Sequence, residues 1–293
     1  MAPSGKLIAS PFAPANKAMT DRNLRLWKKL VRPFVPTFAY RLKRALFGWR
    51  WFRGRYTRWD QAQAHSTGYG EPGILAKVLH ATLEVKAGRA VYERDSVLFY
   101  EPAADAELLA NLRYVAAQCG GRLRVLDFGG ALGTMYWQHR SFLIGLSELA
   151  WDVVEQPHFV AAGQKYVQDG VLRFFPTIAE AISQSRYDVL LISGVVNFLP
   201  DPHGTMEQLV GLGAPWMIFH NVPLHDNDSD YVMVEHVPPE IYPAIYPMWF
   251  FNRQIFMAHF NGRYTPIRLY ASPAVWERGL NNYCSTGMLL QKR

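Results

Sequence analysis

Short apolar runs alternate with amphipathic segments along the C-terminal two thirds of the chain. Residues 123–128 (LRVLDF) and 188–193 (DVLLIS) are almost continuously apolar, as in strands buried on both faces of a parallel sheet. The segments between such runs repeat apolar positions at helical spacing. This alternation predicts an α/β fold with a doubly wound, mostly parallel sheet. Seven strands are expected, at residues 123–128, 150–155, 171–175, 188–193, 215–221, 264–271 and 283–291.

Capping residues set the expected helix ends. Residues 103–119 predict a helix that stops at Gly120, because glycine favours the left-handed conformation of a C-terminal cap. A second helix is expected from Pro157 to Gly170, since proline is tolerated at the first helical position. Thr177 and Glu180 have the spacing of a capping box and predict a third helix start.

The first 102 residues differ in composition from the rest. Residues 1–20 are rich in Pro, Ala and Ser and predict a flexible leader. Residues 21–102 predict a basic and aromatic, helical N-terminal extension that acts as a lid. Residues 103–293 are then expected to form the α/β domain.

Positive charge is concentrated in one segment. Residues 22–58 contain twelve Lys or Arg and no acid, and aromatic side chains are interleaved with them. Since the whole chain has a net charge of +7, the remaining residues are net acidic. Three interpretations of the segment stay open: a lid with solvated charges, an element lying on an anionic membrane surface, or a nucleic-acid binder.

The cysteines and the hydropathy bear on the compartment. Cys119 and Cys284 match no metal or redox spacing, which suits a reducing compartment. No apolar run reaches the roughly 18 to 20 residues of a membrane span, and the N-terminus lacks the apolar core of a signal peptide. We expect a cytoplasmic protein, with peripheral association at the inner membrane if the basic segment lies on lipid.

The first of the seven strands leads into a glycine-rich turn, VLDFGGALGT. In a doubly wound sheet, such a turn lets a cofactor approach the backbone at the start of the next helix. The G-x-G-x-x-G pattern of dinucleotide sites does not fit, whether it starts at Gly129 or at Gly130. Instead, Asp127, Gly129 and Gly133 resemble the D/E-x-G-x-G-x-G turn of class I S-adenosylmethionine-dependent methyltransferases. Ala131 stands in place of the middle glycine.

This resemblance implies a Rossmann-like methyltransferase fold with S-adenosylmethionine as the methyl donor. Asp127 would support the turn and the amino-acid end of the donor, and the glycines would allow close approach. Glu155, at the end of the second strand, would accept hydrogen bonds from the ribose hydroxyls. The donor-binding residues implied in this way are Asp127, Gly129, Gly130, Gly133, Glu155 and Ser193.

Further blocks of sequence resemble a group of bacterial methyltransferases associated with surface-polysaccharide biosynthesis. They include STGYGEPG, ERDSVLFYEP, FLPDP and EHVPPEIYPAIYPMWFF, and the resemblance covers residues 59–293. The group implies O-methylation of a small molecule or of a glycan or lipid-linked acceptor. Two alternatives stay open: an RNA-modifying methyltransferase guided by the basic segment, and a non-catalytic partner protein that binds S-adenosylmethionine. Nucleic acid is the less favoured partner.

A hydroxyl acceptor needs a base that takes its proton. His236 is the first candidate, because Glu235 beside it could orient the imidazole, and Tyr69 in the STGYG turn is the second. The loop HDNDSD has the early spacing of a calcium loop, but Tyr231 stands where that loop needs glycine. We therefore expect no metal site.

Overall fold

The computed structural model describes residues 52–67, 72–237, 244–272 and 283–293, all within a compact unit that spans Arg50–Arg293. The predicted leader, most of the basic segment and Tyr69 lie outside these residues. The predicted boundary between residues 102 and 103 stays a prediction. Among the described residues, no helix is both long enough and apolar enough to cross a membrane.

The described ranges contain strands and helices in alternation. The strands are β1 (Phe52–Tyr56), β2 (Tyr92–Arg94), β3 (Val97–Phe99), β4 (Arg122–Phe128), β5 (Glu148–Val154), β6 (Leu172–Phe175), β7 (Val189–Ser193), β8 (Trp216–His225), β9 (Tyr231–His236), β10 (Ile245–Asn252), β11 (Tyr264–Ala271) and β12 (Tyr283–Lys292). The helices are α1 (Trp59–Gln63), α2 (Pro72–Lys86), α3 (Ala106–Gln118), α4 (Thr134–His139), α5 (Pro157–Ala162), α6 (Ile178–Gln184), α7 (Pro202–Gly211) and α8 (Arg253–Ala258).

Seven strands form the central sheet in the order β6-β5-β4-β7-β8-β12-β11. The strands from β6 to β8 are parallel, β12 runs antiparallel to β8, and β11 runs antiparallel to β12. All seven coincide with the strands expected from the apolar pattern. The predicted fold, a doubly wound and mostly parallel seven-stranded sheet, is therefore confirmed.

Helices cover both faces of this sheet, which explains its nearly continuous apolar strands. Within β4, Val125 packs into the core under α2 to α5, whereas its neighbour Leu126 packs into the core under α6 to α8. Successive side chains of a strand point to opposite faces, so both must be apolar here.

A three-stranded antiparallel extension, β1-β9-β10, was not expected from the sequence. It joins the C-terminal end of β8 through the parallel pairs Phe251 with Leu224 and Asn252 with His225. The basic segment, which the sequence predicted to be helical, supplies β1. Phe52 of β1 contacts Phe250 of β10 edge to face, with ring centroids 5.2 Å apart. This contact with a residue distant in the sequence stabilises the strand conformation over the predicted helix.

Two helices begin or end away from the positions that the sequence predicts. The helix expected at residues 103–119 begins later, because Asp105 caps it by accepting a hydrogen bond from the Leu108 backbone N–H at 2.9 Å. The helix expected up to Gly170 ends at Ala162 and continues as a π turn from Gly163. A Cβ on Gly163 would lie 2.6 Å from the Phe174 ring, so this close approach requires glycine.

Candidate active site

A cavity of about 680 Å³ opens at the C-terminal ends of β4, β5, β7 and β8. The chain runs from β4 outward to β5 and β6 and then returns to β7 on the other side of β4. Ligands of doubly wound sheets bind at such a switch point, because the loops diverge there and leave a crevice. The fold thus places the glycine turn after β4 at the position where a nucleotide-type ligand fits.

The glycine turn has a left-handed backbone. Gly129 and Gly133 have φ angles of +74° and +85°, and a Cβ on Gly129 would lie 2.3 Å from Cγ2 of Val195, which follows β7. Ala131, at the position of the missing middle glycine, also has a positive φ, of +50°. The substitution therefore keeps the backbone conformation of a glycine, at the steric cost that a side chain meets in this region.

Asp127 lies directly beneath this turn and is completely buried. Its Oδ2 accepts a hydrogen bond from the Trp151 indole N–H at 2.9 Å, whereas its Oδ1 has no hydrogen-bond partner among the described residues. Burial raises the pKa of Asp127 to about 7, against the lowering effect of the Trp151 hydrogen bond, and the charge of Glu155 adds to the rise. A Cβ on Gly130 would lie 2.4 Å from Oδ2, so the carboxyl and the turn fit only with glycine above it.

Glu155 follows the last residue of β5 and faces the cavity. Burial raises its pKa, while hydrogen bonds from the backbone of Gln156 and Ala131 act in the opposite direction. The Gln156 N–H donates to its Oε2 at 2.6 Å, which fixes the carboxylate at the end of the strand. Ser193, the last residue of β7, lines the same cavity.

Five of the six predicted donor residues line this cavity, and the sixth, Gly133, begins α4 behind the turn. Their arrangement fits S-adenosylmethionine. The absence of a Cβ at Gly130 permits close approach, the free Oδ1 of Asp127 can accept from an ammonium group, and the Glu155 carboxylate can accept from two ribose hydroxyls.

A second set of polar side chains lines the opposite part of the cavity, and sequence reasoning did not assign them to a binding site. Glu93 from β2, Asp95 from the β2–β3 turn and Glu235 from β9 are carboxyls. Asn221 of β8 lies nearby with a positive φ of +60°, and its buried Oδ1 has no hydrogen-bond partner within the described ranges. We call the cavity wall formed by Glu93, Asp95, Asn221 and Glu235 the acceptor wall.

Glu235 is the most isolated acid of the acceptor wall. It is only 3% exposed, and its Oε2 has no hydrogen-bond partner among the described residues. Burial raises its pKa to about 8, and the charge of Asp95 contributes to the rise. Sequence reasoning considered this residue only as a support for His236. The sequence signal that could have identified Glu235 as a site residue is an acid within a mostly apolar strand.

Glu93 is equally buried but has hydrogen-bond partners. Its two carboxyl oxygens accept from the Thr134 hydroxyl and from the Ser96 backbone N–H. Burial raises its pKa to about 7, the Thr134 hydrogen bond lowers it, and the charge of Asp95 raises it further. Because Thr134 is the first residue of α4, Glu93 fixes the β2–β3 hairpin against the helix that follows the glycine turn.

The sequence-based catalytic candidates lie elsewhere or outside the described residues. His236 follows Glu235 in β9, so its side chain points to the other face of the strand, and it does not line the cavity. Burial lowers the pKa of His236, and the charge of Arg53 adds to this effect. Tyr69 is not among the described residues, so its role stays a prediction.

Two of the three acids of the HDNDSD loop, Asp226 and Asp230, contact other residues of the protein. Asp226 pairs with Arg253 at 3.0 Å, while Asp230 pairs with His203 at 2.6 Å and accepts from the Asn252 backbone N–H. Across the described ranges, no group of three or more His, Cys, Asp or Glu side chains could hold a metal ion.

No protein-family model matches this chain, and no curated protein matches it. Solved structures do match. The N-terminal domain of EvdMO1, crystallised in the presence of S-adenosylhomocysteine and D-fucose, is 13% identical with a TM-score of 0.46, over 74% of this chain and 97% of that one. CalS10, an amino pentose methyltransferase from Micromonospora echinaspora with bound S-adenosylmethionine, is 11% identical with a TM-score of 0.40, over 65% and 92%.

A third match is the N-methyltransferase NodS from Bradyrhizobium japonicum in complex with S-adenosylhomocysteine. It is 11% identical with a TM-score of 0.40, over 72% of this chain and 98% of that one. All three were thus crystallised with the methyl donor or its demethylated product. Likeness at this level assigns no acceptor, so the chemistry of the site follows from its own side chains.

Proposed function

We propose that this protein is an S-adenosylmethionine-dependent methyltransferase that acts on a small molecule or a glycan acceptor. One observation carries the proposal: a left-handed glycine turn over the buried Asp127, at the switch point of the sheet, with the Glu155 carboxylate at the end of the next strand. A dinucleotide-binding protein would share the switch point, but it would use a different glycine spacing.

In this proposal the residues of the turn hold the donor. The carboxyl of Asp127 accepts from the ammonium group of its amino-acid end, Gly129 and Gly130 let the backbone approach it, and Glu155 accepts from the ribose. When bound there, S-adenosylmethionine supplies a methyl group on a positively charged sulfur. The apolar side chains of Val195 and Phe198, after β7, line the cavity and exclude water. The main task of the protein is then to hold the acceptor atom in line with the methyl group.

The acceptor class rests on the resemblance to methyltransferases associated with surface-polysaccharide biosynthesis. That resemblance implies a carbohydrate or lipid-linked acceptor and methylation of a hydroxyl, with His236 or Tyr69 as the base. The side chains of the acceptor wall favour nitrogen over oxygen as the methylated atom.

We propose that the basic segment brings the enzyme to an anionic membrane surface. The segment combines twelve cationic residues with interleaved aromatic ones, which suits the headgroup region of a bilayer. Cosedimentation of the full-length protein with anionic and neutral vesicles tests this, with a variant in which Arg41, Lys43 and Arg44 become Gln. Binding to RNA in place of vesicles would support the nucleic-acid alternative.

Calorimetry tests the central proposal. We expect the full-length protein to bind S-adenosylmethionine and S-adenosylhomocysteine and to ignore NAD. Donor binding without methyl transfer to glycan, lipid or RNA acceptors would support the alternative of a non-catalytic partner protein. Preference for NAD, or indifference to both sulfur ligands, would overturn the proposal.

A further inference from the structure

The acceptor wall is acidic although a neutral acceptor would require at most one base. Glu93, Asp95 and Glu235 lie on β2, on the following turn and on β9, whereas the acids of the donor site lie on β4 and after β5. The charge of Asp95 raises the pKa of both Glu93 and Glu235, so Asp95 lies within electrostatic reach of the other two carboxyls. Together they form a second acidic group in the same cavity.

Positive charge on the protein side balances this group only in part. Arg94 is the only Lys or Arg among the described residues that line the cavity. Its Nη2 donates to the Gln138 side chain at 2.9 Å. Burial raises the pKa of Glu93 and of Asp95 and the charge of Arg94 lowers it, whereas burial and the charge of Asp95 both raise the pKa of Glu235. The cavity therefore favours a cation from outside and disfavours an anionic ligand at this wall.

Glu235 supplies an observation independent of the acidic cluster. The Glu235 carboxyl is 3% exposed, and one of its oxygens has no hydrogen-bond partner in the described part of the chain, so its burial costs free energy unless a ligand binds to it. Val237, two residues further along the chain, lines the cavity with an apolar side chain. An ammonium group is the ligand chemistry that satisfies a buried carboxylate best, through short charge-assisted hydrogen bonds.

The position of the acceptor wall also suits a transfer reaction. The Thr134 hydroxyl donates to Glu93, and Thr134 directly follows Gly133 of the glycine turn. The β2–β3 turn above it has positive φ angles at both Asp95 and Ser96, of +51° and +62°, as in a tight type I′ hairpin. A short hairpin thus fixes Glu93 and Asp95 beside the glycine turn.

We propose that the methyl acceptor is an amine, bound as its ammonium form by Glu235 with Glu93 and Asp95, and that the reaction is N-methylation. This inference rests on the proposed methyltransferase function. An N–H proton passes to the Glu235 carboxylate, and the freed nitrogen lone pair forms the bond to the methyl carbon. The carbon–sulfur bond breaks with its electron pair left on sulfur, which gives the methylated ammonium and S-adenosylhomocysteine.

The burial of Glu235 suits this role. With its pKa raised to about 8, Glu235 holds a proton in the ligand-free protein below that pH, and an ammonium ion binds to the carboxylate form with release of this proton. That carboxylate is a stronger base than an exposed glutamate, so taking a proton from the ammonium group is less unfavourable. A hydroxyl has a far higher pKa than an ammonium group, and it would gain nothing from the additional acids at Glu93 and Asp95.

The first test is a binding experiment with a matched pair of small probes, ethanolamine hydrochloride and ethylene glycol, in the presence of S-adenosylhomocysteine. We expect the amine to raise the Tm of the full-length protein by about 2 °C over sodium chloride at equal ionic strength, and the diol to have no effect. Glu235→Gln should abolish the rise, and Asp95→Asn should reduce it. Glu84→Gln is the control, since Glu84 pairs with Arg89 on the surface of α2 and its replacement removes the same charge.

Failure of the amine to stabilise the wild type beyond the salt, or equal stabilisation of Glu235→Gln, would overturn the inference. The second test offers labelled S-adenosylmethionine with amino sugars and with the corresponding hydroxyl sugars. We expect label in the amine products, and at least a tenfold loss of kcat in Glu235→Gln that Glu84→Gln does not show. Label in the hydroxyl sugars would overturn N-methylation while leaving the methyltransferase proposal intact, whereas loss of donor binding in calorimetry would overturn both.

Discussion

The two halves of the cavity are built in different ways. The half that we propose to bind the donor, called the donor half, comes from contiguous sequence: Asp127 to Gly133 forms one turn, and Glu155 follows at the end of the next strand. The acceptor wall is assembled from β2, β8 and β9, which lie far apart in the chain. Both halves contain a buried acid with a raised pKa. Each carboxyl has one oxygen without a hydrogen-bond partner among the described residues, but the other oxygen of Asp127 accepts from the Trp151 indole N–H.

This difference indicates that Asp127 supports the structure of the turn, whereas Glu235 serves to bind a ligand. The carboxyl of Asp127 is held between Trp151 and the Cα of Gly130, so it stabilises the turn before any ligand arrives. Glu235 has no such support, and its burial costs free energy in the ligand-free protein. Functional sites commonly retain such destabilising groups because binding depends on them.

The largest expected effect tests the rigidity of the donor half. Gly129→Ala adds a Cβ 2.3 Å from a Val195 methyl group at a φ of +74°. We expect a loss of about 3 kcal/mol in the free energy of unfolding, from the left-handed conformation and from overpacking together, and loss of S-adenosylhomocysteine binding. Urea unfolding and calorimetry measure the two quantities.

Gly88→Ala is the matched control for this substitution. Gly88 has a φ of +73° but no atom within 4 Å of an added Cβ. We expect only the backbone cost of about 1 kcal/mol and unchanged ligand affinity. Equal effects of the two substitutions would show that the contact between the turn and Val195 does not matter.

The second prediction concerns the ribose contact. Glu155→Gln should weaken S-adenosylhomocysteine binding by about 10 to 100 fold, since charge-assisted hydrogen bonds contribute about 1.5 to 3 kcal/mol. Glu148→Gln removes the same charge from the opposite end of β5, where Glu148 pairs with Arg124 at the surface, and should leave the affinity unchanged. Calorimetry distinguishes them. An unchanged affinity in Glu155→Gln would remove Glu155 from the donor site.

The third prediction concerns the effect of Glu235 on how the free energy of unfolding depends on pH. In the unfolded chain Glu235 loses its proton near its ordinary pKa of 4.5, whereas the folded protein keeps it until about pH 8. The folded state binds the extra proton in this interval, so the stability that Glu235 contributes is lost as pH rises from about 5 to 8.

Glu235→Gln removes that dependence. Because one pKa unit corresponds to about 1.4 kcal/mol, we expect the variant to exceed the wild type by at least about 2 kcal/mol at pH 8 and to match it at pH 5. Urea unfolding in a pH series measures the difference. The slope should decrease without vanishing, since Glu93 and Asp127 contribute in the same direction. A parallel pH dependence in the two proteins would contradict the burial of an unpaired carboxyl.

The smallest expected effect concerns the missing glycine of the turn. Ala131→Gly should raise the free energy of unfolding by about 0.5 to 1 kcal/mol, because Ala131 has a φ of +50° that glycine adopts without strain. Ala87→Gly, at an exposed position with ordinary backbone angles, should lower it instead. If both changes destabilise the protein, the Ala131 methyl group makes a contact that contributes more free energy than its backbone strain costs.

The apolar pattern predicted most of the central sheet. All seven expected strands were found, and the expected Thr177 cap is present, because strand burial and capping are local consequences of residue type. The extension β1-β9-β10 escaped prediction. Its strands alternate polar and apolar positions only weakly, and β1 becomes a strand by pairing with β9, which follows it by more than one hundred residues.

The sequence by itself determined the donor half, since a glycine turn after a buried strand imposes its geometry on its neighbours through backbone angles alone. Tertiary structure decided the acceptor wall. Whether Glu235 or its neighbour His236 faces the cavity depends on the register of β9 against β1 and β10, and a shift of one residue would exchange them. The raised pKa of Glu235 likewise follows from what surrounds it, because desolvation is a property of packing and not of the residue.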